Sequence, residues 1–272
     1  MEEAFWWAAF AGKVTEVEEI LRDNPTIDVN WRNPSWGVPA LFIACEYRHD
    51  SIASLLLAHP GVDANPRNYD GSTPFMRVCY NGRPSCARLL LRDSRVDVNE
   101  QSSDGFTPLY WASFRGMLDV IRWWIMSGRE MNLGEPGNEM TDAIGVANNP
   151  VMLAMEFPKE FEERTARCAK VASLLEQYKE NPVKTRHEVR AEMGWYDQLA
   201  AGMFALVVFV SDGLLVPSPR RESPAARYFG LVSQLPIELQ MVLCFRAVGS
   251  AKELIPRRES EVAFKELAKR LL

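Results

Sequence analysis

Asp70-Gly71-Ser72-Thr73-Pro74-Phe75 returns 34 residues later as Asp104-Gly105-Phe106-Thr107-Pro108-Leu109. At the same step Leu55-Leu56-Leu57 returns as Leu89-Leu90-Leu91, and Val62-Asp63-Ala64-Asn65 as Val96-Asp97-Val98-Asn99. A period of this length marks stacked supersecondary units, each too small to bury its own apolar face. Such a stack presents a long surface, which directs the reading towards binding rather than catalysis.

Within one unit the residue types follow a physical order. Asn68-Tyr69-Asp70-Gly71 is a turn, with glycine where a positive backbone angle excludes a side chain. Thr73 caps a helix through its hydroxyl, and Pro74 fills the first helical turn, where its missing N–H costs nothing. Gly82 ends that helix. A second helix carries Cys86, Leu89 and Leu90 at helical spacing, and Arg95-Val96-Asp97-Val98-Asn99 leads into the next turn.

This order resembles the ankyrin repeat. That family's signature runs from a glycine turn through threonine-proline-leucine-histidine and an alanine-rich helix to a leucine-rich helix and a glycine-alanine-aspartate-valine-asparagine tail. Thr107-Pro108-Leu109-Tyr110-Trp111-Ala112 carries it with tyrosine in place of histidine, and Thr73-Pro74-Phe75-Met76 departs further. The family's histidine makes a hydrogen bond between repeats, so the resemblance implies weaker or differently bonded hairpins here. Fold class follows as all-α: an ankyrin-repeat solenoid of about five units over residues 1–180, then a small helical domain over residues 185–272. The first unit is a cap, with one helix near Ala4 to Ala11 and another through Val14, Val17, Ile20 and Leu21. The second begins at Trp36-Gly37-Val38-Pro39-Ala40-Leu41. The fifth is degenerate: Thr141 to Ala147, an insertion with Pro150 and Pro158, then a long helix through Ala166, Ala169, Val171, Leu174 and Leu175.

In such stacks the turn tips and the inner face of the first helices form a concave groove. Carried over one unit at a time, the resemblance implies partner contacts from Ser35, Trp36, Val38, Glu46 and Tyr47. The third unit adds Tyr69, Asp70, Ser72, Tyr80 and Asn81, and the fourth Ser103, Asp104, Phe106, Phe114 and Arg115. Aromatic residues and arginine are what protein interfaces favour at their centres. For any one ring, packing between repeats is an equal alternative; for the set, binding is the stronger reading. Trp123-Trp124 stands where other units have leucine pairs, and is read as core. Of Trp6 and Trp7, one is expected to pack on the next repeat and the other to be exposed.

After Asn181-Pro182 the period ends. Trp195, Leu199, Phe204, Val207 and Val208 outline an apolar helix, and Pro217-Ser218-Pro219-Arg220-Arg221-Glu222-Ser223-Pro224 a polar loop. Further helices are expected around Ala226 to Val232, Pro236 to Val248 and Glu259 to Leu271. Leu235-Pro236-Ile237-Glu238-Leu239 resembles the opening of an F-box, a helical module that docks on the adaptor of cullin-type ubiquitin ligases. That resemblance implies adaptor docking through Leu235, Pro236 and Leu239. The same residues are also a good helix start, which is the favoured reading.

Net charge is -5 with no basic stripe, so nucleic acid is not an expected partner. The most apolar run, Met203 to Val210, is too short for a membrane span. Five cysteines spread from Cys45 to Cys244 do not form a disulfide framework; Cys45 and Cys79 share one repeat position and read as small core residues. From this cysteine usage the cytoplasm or nucleus is the expected compartment, and Met1-Glu2-Glu3-Ala4-Phe5-Trp6-Trp7, acidic at its start, does not read as a secretory signal. His49, His59 and His187 have no metal-ligand spacing, and neither a phosphate loop nor a nucleophile elbow occurs. The sequence thus reads as a non-catalytic scaffold, monomeric alone, that binds a protein partner and needs no cofactor or metal. A ubiquitin-ligase substrate receptor is the alternative.

Overall fold

The computed structural model describes residues 1–149, 161–211 and 237–248, with Tyr228, Val232, Glu259, Val262 and Ala263. Its contacts divide the chain into two compact units, Met1–Arg186 and His187–Leu272. Among the described residues the regular structure is entirely helical. The Pro150–Pro158 insertion, the 217–224 loop, and Leu235 and Pro236 lie outside the described residues.

The first unit is built from helix pairs: α1 (Glu2–Phe10) with α2 (Val14–Asp23), α3 (Ala40–Glu46) with α4 (Asp50–Ala58), α5 (Pro74–Asn81) with α6 (Pro84–Arg92), and α7 (Pro108–Arg115) with α8 (Leu118–Ser127). A fifth pair combines the five-residue α9 (Ala143–Ala147) with the 20-residue α10 (Phe161–Glu180). Helix boundaries have local causes. Thr73 and Thr107 accept hydrogen bonds from the N–H groups of Met76 and Tyr110 at 3.3 and 3.1 Å. Each threonine is followed by proline at the first helical position. At the other end Gly82 and Gly116 adopt φ of 63° and 69°. Arg48 holds the equivalent place after α3 at φ 66°, a conformation that an L side chain resists.

The first helices α1, α3, α5 and α7 stack in one row, and α2, α4, α6 and α8 in a second. Between the rows lie Leu41, Ile43, Phe75, Val78, Leu109, Ile52, Leu56, Leu90, Ile121 and Trp124, all sealed from solvent. Phe75 meets Trp124 edge-on at 4.9 Å, so the tryptophan that replaces a leucine fills space between neighbouring units. Tyr110, in the family's histidine position, is buried among Phe106, Trp111 and Phe114. Ring packing thus occupies the site. The turn itself is held by backbone bonds, from Ser102 N–H to the Phe106 carbonyl and from Ser103 N–H to the Asp70 carbonyl.

The tails between pairs form no strands, yet their polar groups are satisfied by a side-chain ladder. Asn30 donates to the Gly61 carbonyl and accepts from Asp63 N–H, both at 2.8 Å. Asn65 does the same to Arg95 and Asp97 at 2.8 and 2.7 Å, and Asn99 to Glu130 and Asn132 at 3.1 and 3.0 Å. Asp28, Asp63 and Asp97 brace the three asparagines by accepting from their N–H groups. Arginines reach the other way: Arg95 donates to the carbonyls of Leu57 and His59, and Arg129 to those of Asp93 and Val96.

Helix α11 covers Pro182–Glu192. In the second unit α12 (Trp195–Ser211) packs on α13 (Ile237–Ala247) around Ala200, Ala201, Phe204, Val207, Val232, Cys244 and Phe245.

Two substitutions of opposite sign check this account. Asn65→Ala removes two inter-repeat bonds and is expected to cost about 1–2 kcal/mol, partly offset by water. Arg48→Gly relieves the left-handed strain and is expected to add about 1 kcal/mol. Urea unfolding followed by circular dichroism measures both; an unchanged midpoint for Asn65→Ala would remove the ladder from the stability account.

Candidate partner-binding groove

The inner row of helices and the turn tips carry two groups of side chains. The first is an aromatic ridge at the N-terminal end. Trp6 is sealed in the core, with its indole N–H donated to the Val38 carbonyl at 2.8 Å. One helical step away, Trp7 is 46% exposed. Phe10 stands between them and the next repeat, 4.8 Å from the Tyr47 ring and 5.8 Å from Trp36. Trp36 and Tyr47 are 43% and 41% exposed, large areas for such rings on a water-facing surface. Tyr69, 76% exposed, lies against Gly37, where a Cβ atom would sit 2.4 Å from its ring. Gly37 also has φ 66°, a backbone conformation that L side chains resist.

The second group surrounds a pocket of about 340 Å³ between the third and fourth repeats. Asp70, Ser72, Ser102 and Asp104 come from the turns, and Met76, Arg77, Tyr80, Phe106 and Trp111 supply the remaining wall. Arg77 forks onto Glu46 at 2.9 and 2.8 Å, and Asn81 donates to the same carboxylate at 3.1 Å. These bonds hold the Arg77 guanidinium above its ordinary pKa, so it remains charged. Its charge is balanced by Glu46 at 2.8 Å. Tyr80 bears two cations, with Arg77 5.2 Å and Arg115 4.7 Å from its ring centre. The edge of Trp111 meets Tyr80 at 5.2 Å, and Phe106 leans on Trp111 at 4.9 Å.

Of the residues the sequence assigns to the groove, Asp70, Ser72, Tyr80, Asp104 and Phe106 line the pocket. Glu46, Asn81 and Arg115 adjoin it through the bonds and ring contact just described, while Trp36 and Tyr47 belong to the ridge. Ser35, Tyr69 and Ser103 are exposed on turn tips. Val38 and Phe114 are only 2% exposed, and so offer a partner nothing. Val38 turns inward beneath Trp6. Phe114 is covered by Arg164 of α10, whose guanidinium lies 4.8 Å over its ring and donates to its carbonyl at 3.0 Å. Arg77 and Trp111 were missed by the sequence reading, although one 34-residue step relates them and marks a shared position facing the groove. Leu239 is 49% exposed on α13, beside Ile237 at 52%.

The histidines have structural partners: His49 Nε2 lies 2.9 Å from the Phe10 carbonyl, His59 Nδ1 accepts from Gly61 N–H, and His187 Nδ1 lies 2.6 Å from the Tyr196 hydroxyl. Among the described residues no cluster of histidine, cysteine, aspartate or glutamate could hold a metal ion. Likewise no described helix is long and apolar enough to cross a membrane.

Residues 60–134 match the family model of ankyrin repeats in three copies. The structure is also similar to the crystal structure of EF0377, an ankyrin repeat protein, with a TM-score of 0.50 and 23% identity. That similarity covers 62% of this chain and 81% of the other, and it concerns the fold. The first unit is thus an ankyrin-repeat solenoid. Ankyrin repeats are protein–protein interaction modules and generally non-catalytic.

Burial separates Trp124 from Trp36. Trp124→Ala empties a sealed site and is expected to cost about 3–5 kcal/mol, whereas Trp36→Ala, at a half-open site, is expected to cost under about 1 kcal/mol. Thermal unfolding of the two variants measures the difference; equal losses would make Trp36 a core residue.

Proposed function

We propose that this protein is a non-catalytic scaffold that docks one partner protein in the concave groove, along the ridge of Trp36 and Tyr47 and the pocket beside Tyr80. The observation that carries this reading is the run of half-exposed rings at Trp7, Trp36 and Tyr47 on one face of a solenoid. Aromatic surface left in water is costly to maintain and becomes favourable when a partner covers it. The Glu46–Arg77–Asn81 bonds tie α3 to α5, the helix that carries Tyr80, so this part of the surface is preorganised and loses little entropy on binding.

A second reading has its own support. Ile237 and Leu239 begin α13 as exposed apolar side chains, and a helix start of this kind suits docking onto an adaptor of cullin-type ligases. In that case the groove selects the substrate.

Affinity capture from cell extract with intact protein, read by mass spectrometry, tests both. Trp36→Ala/Tyr47→Ala/Tyr80→Ala is expected to lose the main partner at least tenfold while its circular dichroism spectrum is retained. Capture that is indifferent to those changes would sink groove docking. An adaptor–cullin complex lost specifically with Leu239→Asp would establish the second reading, and its absence would remove it.

A further inference from the structure

The pocket between the third and fourth repeats has a composition that selects among ligands. Its aromatic walls are Phe106 and Trp111, in contact at 4.9 Å, and Tyr80, which meets Trp111 at 5.2 Å. At its mouth stand Asp70 and Asp104, both exposed and placed one repeat apart on equivalent turns. The one cation in the lining, Arg77, is forked onto Glu46 and balanced there. With Glu46 balancing Arg77, the lining carries net negative charge in Asp70, which also feels the Arg77 charge, and Asp104, set over π-faces. An acidic group would be repelled at the mouth, and a purely apolar one would desolvate the carboxylates, of which Asp70 has only a 3.4 Å bond from Asn68 and the charge of Arg77 to offset the cost.

From this charge balance we infer that the pocket receives a basic side chain, arginine or lysine, presented by the partner segment that docks in the groove. The inference deepens the docking reading and rests on it. The protein supplies an internal precedent in Arg77 and Arg115, both already seated on the Tyr80 ring at 5.2 and 4.7 Å. Arg115 does not line the pocket, so it does not occupy the place assigned to the ligand. A volume of about 340 Å³ accommodates a long side chain with its charged end between Asp70 and Asp104 and its stem on Phe106 and Trp111. Cation–π contact and charge pairing then act on the same group.

Small probes test the pocket apart from any partner. N-acetyl-arginine amide, N-acetyl-lysine amide and the neutral isostere N-acetyl-citrulline amide are titrated into full-length, nitrogen-15-labelled protein at low ionic strength. The expected result is saturable shifts at the Trp111 indole N–H with arginine or lysine, and a response about tenfold weaker with citrulline. Asp70→Asn/Asp104→Asn alters only exposed turn positions, and is expected to abolish the difference between charged and neutral probes while the rest of the amide spectrum is unchanged. An equal response to citrulline, an arginine response that survives the double variant, or no response at Trp111 each overturns the inference. Because the readout is the Trp111 indole in this pocket, such a failure leaves docking on the ridge to be decided by capture with the Trp36 and Tyr47 variants. Conversely, capture that ignores the groove removes docking whatever the probes do.

Discussion

One side-chain amide, that of Asn65, holds both the carbonyl of Arg95 and the N–H of Asp97. The same exchange runs from Asn30 to its neighbour and from Asn99 to the next. The tails lack strand partners, and backbone polar groups without partners are costly, so each repeat depends on the preceding one for its tail. This fixes the spacing of the units. Spacing in turn sets which side chains of α1, α3, α5 and α7 interleave and which face outward. A surface spanning several repeats has a definite geometry because the bonds behind it are periodic.

The groove is uniform in construction and uneven in content. Glu46, Tyr80 and Phe114 occupy one repeat position, yet the first is bonded to Arg77, the second bears two arginines, and the third is buried. Helix α10 causes the last difference. Arg164 covers Phe114, and Arg167 and Cys168 press so closely on Gly116 that a Cβ atom there would lie 2.9 Å from Arg167. The C-terminal end of the row is closed by the chain itself, and the exposed aromatic surface lies towards the N-terminal repeats.

Much of this was legible because its causes are local. Thr73, Thr107, Gly82 and Gly116 act within one turn of their own helix, and their chemistry can be read without a fold. The split between Trp6 and Trp7 follows from helical geometry, since adjacent residues point about 100° apart. The pocket was only half legible. The turn residues Asp70 and Asp104 stood out through their repeat, while Arg77 and Trp111 were not assigned to the groove. Phe114 could not be placed from its own unit, because what buries it comes from α10, where the period has already failed. Val38 likewise takes its cover from outside its own unit, since Trp6 of the preceding unit donates to its carbonyl.

The cysteines carry a different consequence. All five are free and buried. Desolvation holds the Cys79 thiol well above its ordinary pKa and raises that of Cys168, and it holds that of Cys244 at about 11. Cys86 is also raised, by its neighbours Cys45 and Asp50 and by burial. Thiols so protected are chemically silent while the helices stay packed, since only the thiolate attacks. Cys45 lies in the second pair, Cys79 and Cys86 in the third, Cys168 in α10 and Cys244 in α13, so several regions contain their own clock. The order in which an alkylating reagent modifies them is the order in which the molecule comes apart.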